Sequence, residues 1–241
     1  MHKTSTLAAL LIVAALAAPA AADTVALHAD FDLDTPELPP ATDLPGAPEG
    51  DALTLYTQGG DITVEESVGS IGGQPLLLDR QDGTLSFGLN AQLAPDEWYR
   101  ERYTVRWRSA VMSNVFFFGI GARSGNSQLL ASVEYRSGGG LSFNSSAHPC
   151  PVGYQPGVMQ EFEINLDMVN KKASLRIDGV DYPELQGLNQ YQLGGNGMRL
   201  MTFGPGGVDA HQFVVDDIEV IAGDANTAVE ATTWSRVKAL F

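Results

Sequence analysis

Apolar and polar side chains alternate along this chain with a period of two, the spacing of a half-buried β-strand, and the pattern recurs from near the start to near the end. Residues 161–167 (EFEINLD) show it most cleanly. Phe162, Ile164 and Leu166 fall on one side, and Glu161, Glu163, Asn165 and Asp167 on the other. Val169-Asn170-Lys171 supplies a turn, and Ala173, Leu175 and Ile177 make the apolar side of a returning strand. Asp178-Gly179 closes the next turn, where glycine tolerates positive φ. Tyr103, Val105 and Trp107 alternate with Thr104, Arg106 and Arg108, and Trp107 is assigned to the core. Residues 115–120 (VFFFGI) are apolar on both sides, as expected of a central strand covered on two faces.

Shorter stretches of the same kind occupy residues 24–31, 53–56, 62–64, 76–78, 85–89, 129–136, 141–143, 198–203 and 213–221. Gly138-Gly139-Gly140 reads as a flexible hairpin connection, and five prolines between residues 34 and 51 demand an irregular loop there. No repeat of fixed period is visible. Many short strands with turn residues between them predict an all-β fold, a two-sheet antiparallel jelly-roll sandwich.

The segment EFEINLDMVNKKASLRIDG resembles the strand–turn–strand hairpin, ending in Asp-Gly, of the concanavalin A-like lectin/glucanase and laminin G-like jelly rolls. The closing FVVDDIEV is similar to the last strand of such secreted carbohydrate-associated domains, which pairs with a first strand like ALHADFDLD. The resemblance spans residues 25–222 and implies a sandwich of about 200 residues. It does not imply one activity, because that fold hosts lectins, adhesion modules, hydrolases and lyases.

The first 22 residues read differently. Lys3 is followed by the apolar run LAALLIVAALAA (residues 7–18) and then by Pro19-Ala20-Ala21-Ala22, the charged, apolar and small-residue order of a cleavable signal peptide. The run is short for a membrane span, which needs about 20 apolar residues. The expectation is therefore a signal peptide over 1–22, a sandwich over 23–222 and a tail over 223–241, with the mature chain secreted, periplasmic or on the surface of a bacterial cell. In the tail, Val229, Thr233, Val237 and Leu240 recur at helical spacing, and Arg236 and Lys238 suit a helix C-terminus, so a short C-terminal helix is expected.

Composition narrows the partners. The formal net charge of −15 repels phosphate backbones, which argues against nucleic acid. No second apolar stretch approaches membrane length. Cys150, flanked by Pro149 and Pro151, is the sole cysteine, so no disulfide forms within the chain.

Three groups of residues are candidates for function. Asp30 and Asp32, with Asp34 beyond them, lie near the first strand and Asp216 and Asp217 in the last. If those strands are neighbours, the carboxylates gather, and calcium takes six to eight such oxygens. The alternative is that they discourage edge-to-edge association of sheets. Second, Trp98, Tyr99 and Tyr154 lie in expected loops, as does Tyr191; rings there can stack on sugars while Asn126, Gln128, Asn144, Asn189 and Asn196 read hydroxyls. Third, Glu161, Glu163 and Asp167 form an acidic stripe. A retaining glycosidase needs two carboxyls about 5–5.5 Å apart; the stripe lacks a tight Glu-x-Asp-x-Glu cluster, and a solvated outer face is the preferred reading. A lyase site sketched from Arg106, Arg108 and Tyr135 has no supporting motif. His28, His148 and His211 have no zinc spacing with one another or with Cys150. The reading chosen is an exported, non-catalytic domain binding an extracellular glycan. The alternatives are a polysaccharide hydrolase or lyase of the same fold, and a structural surface protein without a small ligand.

Overall fold

The computed structural model describes residues 23–32, 34–38, 40, 53–56, 61–80, 88–92, 100–112, 117–123, 129–191, 199–203 and 211–223. The segments expected to be signal peptide (1–22) and C-terminal helix (224–241) lie outside them. In chain order the strands are β1 (Thr24–Ala29), β2 (Leu53–Tyr56), β3 (Asp61–Val64), β4 (Ser67–Val68), β5 (Ile71–Gly72), β6 (Leu76–Arg80), β7 (Gly88–Gln92) and β8 (Arg102–Val111). There follow β9 (Phe117–Arg123), β10 (Leu129–Arg136), β11 (Gly140–Phe143), β12 (Gln160–Asp167), β13 (Lys172–Ile177), β14 (Val180–Asp181), β15 (Leu188–Asn189), β16 (Arg199–Phe203) and β17 (His211–Gly223).

They build two antiparallel sheets. The larger has the order β14-β13-β12-β8-β17-β6-β3, with β1 also on β17 and β15 on β13; the smaller runs β11-β10-β9-β16-β7-β2. This is the jelly-roll sandwich expected from the periodicity. First and last strands pair, with His28 opposite Glu219 and Ala29 opposite Ile218.

The β12–β13 hairpin follows the alternation residue by residue: Phe162 faces Ile177, Ile164 faces Leu175 and Leu166 faces Ala173, all at most 2 % exposed. Its turn is tied by Asp167, whose carboxylate accepts from the Asn170 backbone N–H and side-chain amide, both at 2.7 Å. At the next turn Asp178 and Gly179 both have positive φ (51° and 73°), the mirror-image turn whose twist matches the flanking strands.

Between the sheets lie Tyr103, Val105 and Trp107 of β8, the β12–β13 pairs, and Ile120, Ala122, Val133, Tyr135, Leu141 and Phe143 of the smaller sheet. Trp107 is fully buried, stacked on Phe162 at 5.5 Å, and its indole N–H donates to Ser109 Oγ at 3.0 Å. Ser109 in turn meets the Tyr135 hydroxyl at 2.9 Å, so a hydrogen-bonded chain joins the two sheets through the core.

Strand β17 carries a β-bulge: its register on β8 shifts between Asp216 and Glu219, and Asp217 has φ 51°. The bulge falls where β17 exchanges one neighbour for another, pairing with β6 over His211–Val215 and with β1 over Ile218–Ala222. An extra residue bends and twists a strand locally, which is what such an exchange requires. A two-stranded ribbon, β4–β5, covers part of the outer face of the larger sheet, where Ile71 packs with Ala110 and Val214.

Candidate functional site

The two outer faces differ in kind. On the larger sheet the alternation that buries Val105 and Phe162 turns a row of charges outward. Across four neighbouring strands Arg176 faces Glu163, Glu163 faces Arg106, and Arg106 faces Glu219. Arg106 Nε donates to Glu163 Oε2 at 2.7 Å and its Nη1 to Glu219 Oε2 at 3.1 Å, while Arg176 Nη1 reaches Glu163 Oε1 at 3.3 Å. Asn165 Nδ2 also donates to Glu163, and Thr104 donates to Asn165, both at 2.8 Å.

This corrects the expectation of a solvated acidic stripe: Glu163 is 6 % exposed and Arg106 3 %. Burial alone would raise the Glu163 pKa, but the Asn165 amide and the Arg106 guanidinium outweigh it and hold the carboxyl below its ordinary value. Burial likewise works against the Arg106 charge, and Glu163 and Glu219 overcome it. A carboxylate so engaged is neither a free nucleophile nor a proton donor. The lyase sketch fails on geometry, because Tyr135 lies in the core, on the opposite side of the larger sheet from Arg106. Burial also pushes its hydroxyl well above the ordinary tyrosine range.

The next row places Glu161 opposite Arg108 and Arg108 opposite Asp216. Arg108 Nη1 contacts Asp216 at 3.4 Å and Asp217 at 2.9 Å at the bulge. Burial, reinforced by the Asp217 charge and opposed by Arg108, pushes the Asp216 pKa up to about 7. First and last strands do bring the acidic groups towards one another, and the charge of Asp32 acts on Asp216. Asp30 meanwhile accepts from the Asp32 backbone N–H at 3.3 Å. Among the described residues no three His, Cys, Asp or Glu side chains converge as a metal group, and the compensating cation at Asp216 and Asp217 is Arg108.

The smaller sheet presents a different surface. On β9, Ile120 and Ala122 point into the core, which leaves Gly119 and Gly121 on the outer side. Gly121 is required by close approach: a methyl group there would lie 2.6 Å from Ala131 O and 2.8 Å from Ser132 Cβ. Gly119 and Gly121 stand opposite Glu134 and Ser132 of β10, and all four are buried, so β9 is covered on both faces as expected of a central strand. Arg136 pairs with Glu134, Ser142 Oγ donates to Glu134 Oε2 at 3.1 Å, and Arg136 Nε donates to Ser142 at 3.2 Å. Ser132 Oγ is fully buried beside Gly121 and has no hydrogen-bond partner. About a third of the Arg136 side chain remains exposed.

Register extends this face. Gly121 stands opposite Met201, Gly119 opposite Phe203, and Arg123 opposite Arg199, whose other neighbour is Gln92. Asn90 stands opposite Thr54 and Gly88 opposite Tyr56. Leu53, Leu55, Leu89, Ala91 and Leu200 occupy the intervening positions. Across β2, β7 and β16 one parity carries Leu53, Leu55, Leu89, Ala91, Leu200 and Thr202, and the other carries arginine, amide, hydroxyl, methionine and aromatic residue types.

Tyr154 is placed differently from the loop platform expected. It is 5 % exposed, its ring stands edge-on to Tyr135 at 5.2 Å, and its hydroxyl donates to Arg136 O at 3.1 Å. No ring face is left for a sugar. Tyr191 is 56 % exposed, and its backbone N–H donates to Leu130 O at 2.8 Å, at the β10 edge of the smaller sheet. Trp98 and Tyr99 lie outside the described residues. Cys150 is half-buried, its thiol pushed up to about 12 by burial and by Glu184, which leaves little reactive thiolate.

Glu134, Ser132 and Gly121 were not singled out from sequence, although the signal was present in two adjacent alternations. LLASVEYR carries Ser132, Glu134 and Arg136 on one parity, and FFGIGAR carries its two glycines on the side opposite Ile120 and Ala122.

No protein-family model matches the sequence, and no curated protein matches it. Solved structures do share the fold. A sialidase superposes with a TM-score of 0.57 at 14 % identity, over 72 % of this chain and 17 % of that one. The cellulose-induced protein Cip1 superposes with a TM-score of 0.50 at 13 % identity, over 73 % of this chain and 94 % of that one. The chain thus spans about one sixth of the sialidase and nearly all of Cip1. At these identities the likeness is one of fold.

Proposed function

We propose that the chain is an exported, non-catalytic domain that binds an extracellular polysaccharide across the outer face of its smaller sheet. The observation that carries the reading is the Glu134–Arg136–Ser142 network on the outer parity of the smaller sheet, where about a third of the Arg136 side chain is exposed. A glycan needs donors and acceptors held in fixed positions where solvent reaches them. The Glu134–Arg136–Ser142 network holds polar groups in fixed positions and brings the partly exposed Arg136 guanidinium to the surface. The fold shared with a sialidase and with a cellulose-induced protein adds support from proteins whose names point to carbohydrate. Trp98 and Tyr99 follow Gln92 by six and seven residues in the sequence and are the proposed stacking aromatics.

Binding rather than cleavage is favoured because Glu163 is committed to ion pairs and Glu134 is held by Arg136 and Ser142. Export rests on residues 1–22: intact mass of the natural protein should place its N-terminus within a few residues of Asp23, and retention of Met1 would refute it.

The test is a polysaccharide panel, read by affinity electrophoresis and titration calorimetry, with product analysis in parallel. Dissociation constants in the millimolar to micromolar range are expected, about 4–8 kcal/mol. Gln92→Ala, Asn90→Ala and Trp98→Ala should weaken binding. Lys172→Ala, on the other sheet, should not. New reducing ends or unsaturated uronate would establish an enzyme instead, and a protein that binds nothing on the panel would favour the structural alternative.

A further inference from the structure

Residues 188–191 run from the larger sheet to the smaller one, and both sheets hold their backbone. Asn189 of β15 stands opposite Lys172 of β13, and its carbonyl accepts from Asn144 Nδ2 at 3.2 Å. The Gln190 N–H donates to Lys171 O at 3.0 Å, and the Tyr191 N–H to Leu130 O of β10 at 2.8 Å.

Within this segment burial runs against residue type. Gln190 is 4 % exposed, and Tyr191 beside it is 56 % exposed. Glutamine is ordinarily the more exposed of the two. The Gln190 amide donates to Asp167 O at 3.1 Å and to Lys172 O at 3.3 Å, but its Oε1 is buried without a hydrogen-bond partner. Burying the ring and exposing the amide would gain apolar burial and spare that oxygen its desolvation. Such a departure from local preference is expected at a functional position. Among the residues whose side chains are described, Tyr191 carries the one exposed aromatic ring.

A ring held this way suits stacking. Its backbone is already ordered, so a ligand pays little further entropy to engage it. Tyrosine offers an apolar face and a polar tip. The complement of that face is a pyranose with equatorial hydroxyls, which lie around its rim and leave C–H groups on its two faces. A furanose has no comparable flat apolar face.

We infer that Tyr191 is a stacking platform of the glycan site, beside β10, for a polymer of equatorially substituted pyranoses. The inference rests on the glycan-binding reading above and adds to it a residue and a class of sugar.

The experiment compares wild-type mature protein with Tyr191→Ala and Tyr191→Phe by affinity electrophoresis on hydroxyethylcellulose and on inulin, a furanose polymer. Thermal unfolding is followed for all three proteins. Wild type is expected to be retarded by hydroxyethylcellulose and not by inulin. Tyr191→Ala should weaken that interaction about tenfold, the scale of one stacked ring. Tyr191→Phe should retain it. Both variants should melt as wild type does, because the ring is exposed. A clearly lower melting temperature for Tyr191→Ala would make the ring part of the fold and overturn its assignment to a ligand.

Retardation by inulin alone would overturn the pyranose class and leave the glycan-binding reading standing. Retardation by hydroxyethylcellulose that is unchanged in Tyr191→Ala, or lost equally in Tyr191→Phe, would overturn stacking on this ring. No binding to either polymer or to the wider panel would overturn both readings.

Discussion

Arg106→Met tests whether the charge row on the larger sheet is held as the geometry indicates. The guanidinium is 4 % exposed and donates to Glu163 and Glu219, whose side chains are 8 % and 2 % exposed. Methionine keeps most of the aliphatic bulk and removes the charge. Glu163 retains Arg176 at 3.3 Å and Asn165 at 2.8 Å, so the larger penalty falls on Glu219. Removing one partner of a buried ion pair costs about 3–5 kcal/mol, because the other charge is left uncompensated. An expected loss of about 4 kcal/mol is a large share of the roughly 5–15 kcal/mol that stabilises a domain.

Urea unfolding of the mature protein at pH 7 reads this directly. Adding Glu219→Leu to Arg106→Met should recover most of the loss, since a buried pair can be replaced by apolar groups at little cost. The two substitutions are therefore expected to be non-additive by at least about 2 kcal/mol, within the range of contacting residues. A loss under about 1 kcal/mol, or a double variant as unstable as the sum of two damaging singles, would refute the reasoning.

Asp216, with a folded pKa of about 7 against 3.8 unfolded, binds its proton more tightly in the native state, so its contribution to stability falls as pH rises from about 4 to 7. Asp216→Asn should therefore gain on wild type across that window, by at most about 4 kcal/mol, and a difference independent of pH would contradict the assignment. Leu166→Ala, at a site 2 % exposed, should cost about 2–5 kcal/mol in chemical denaturation; a surface-like loss below about 0.5 kcal/mol would refute the register of β12. Gly121→Ala should destabilise by about 1–3 kcal/mol, because its methyl group would force β9 from β10, and an unchanged urea midpoint would count against that contact. EDTA should leave the melting temperature unchanged, whereas a fall reversed by calcium would restore the metal reading of Asp30, Asp32, Asp216 and Asp217.

The strand alternation, the β12–β13 hairpin, the pairing of first with last strand and the place of Trp107 in the core were all legible in the sequence. Each depends on a period of two or on local turn chemistry, and both are properties of neighbouring residues. Tertiary structure decided the rest. Glu163 reads as a solvated acid from EFEINLD alone; its burial follows from β8 and β13 lying on either side with Arg106 and Arg176 in register. Tyr154 reads as a loop aromatic between Gly153 and Pro156, yet that loop folds back along Gly139 and delivers its ring to Tyr135. Asp216 and Asp217 look like two more outward acids until the bulge in β17 brings both to Arg108. Periodicity assigns a side chain to one of two faces. What that face meets depends on strands that are 57 residues apart in sequence for Arg106 and Glu163 and 113 apart for Arg106 and Glu219, and no local pattern encodes that pairing.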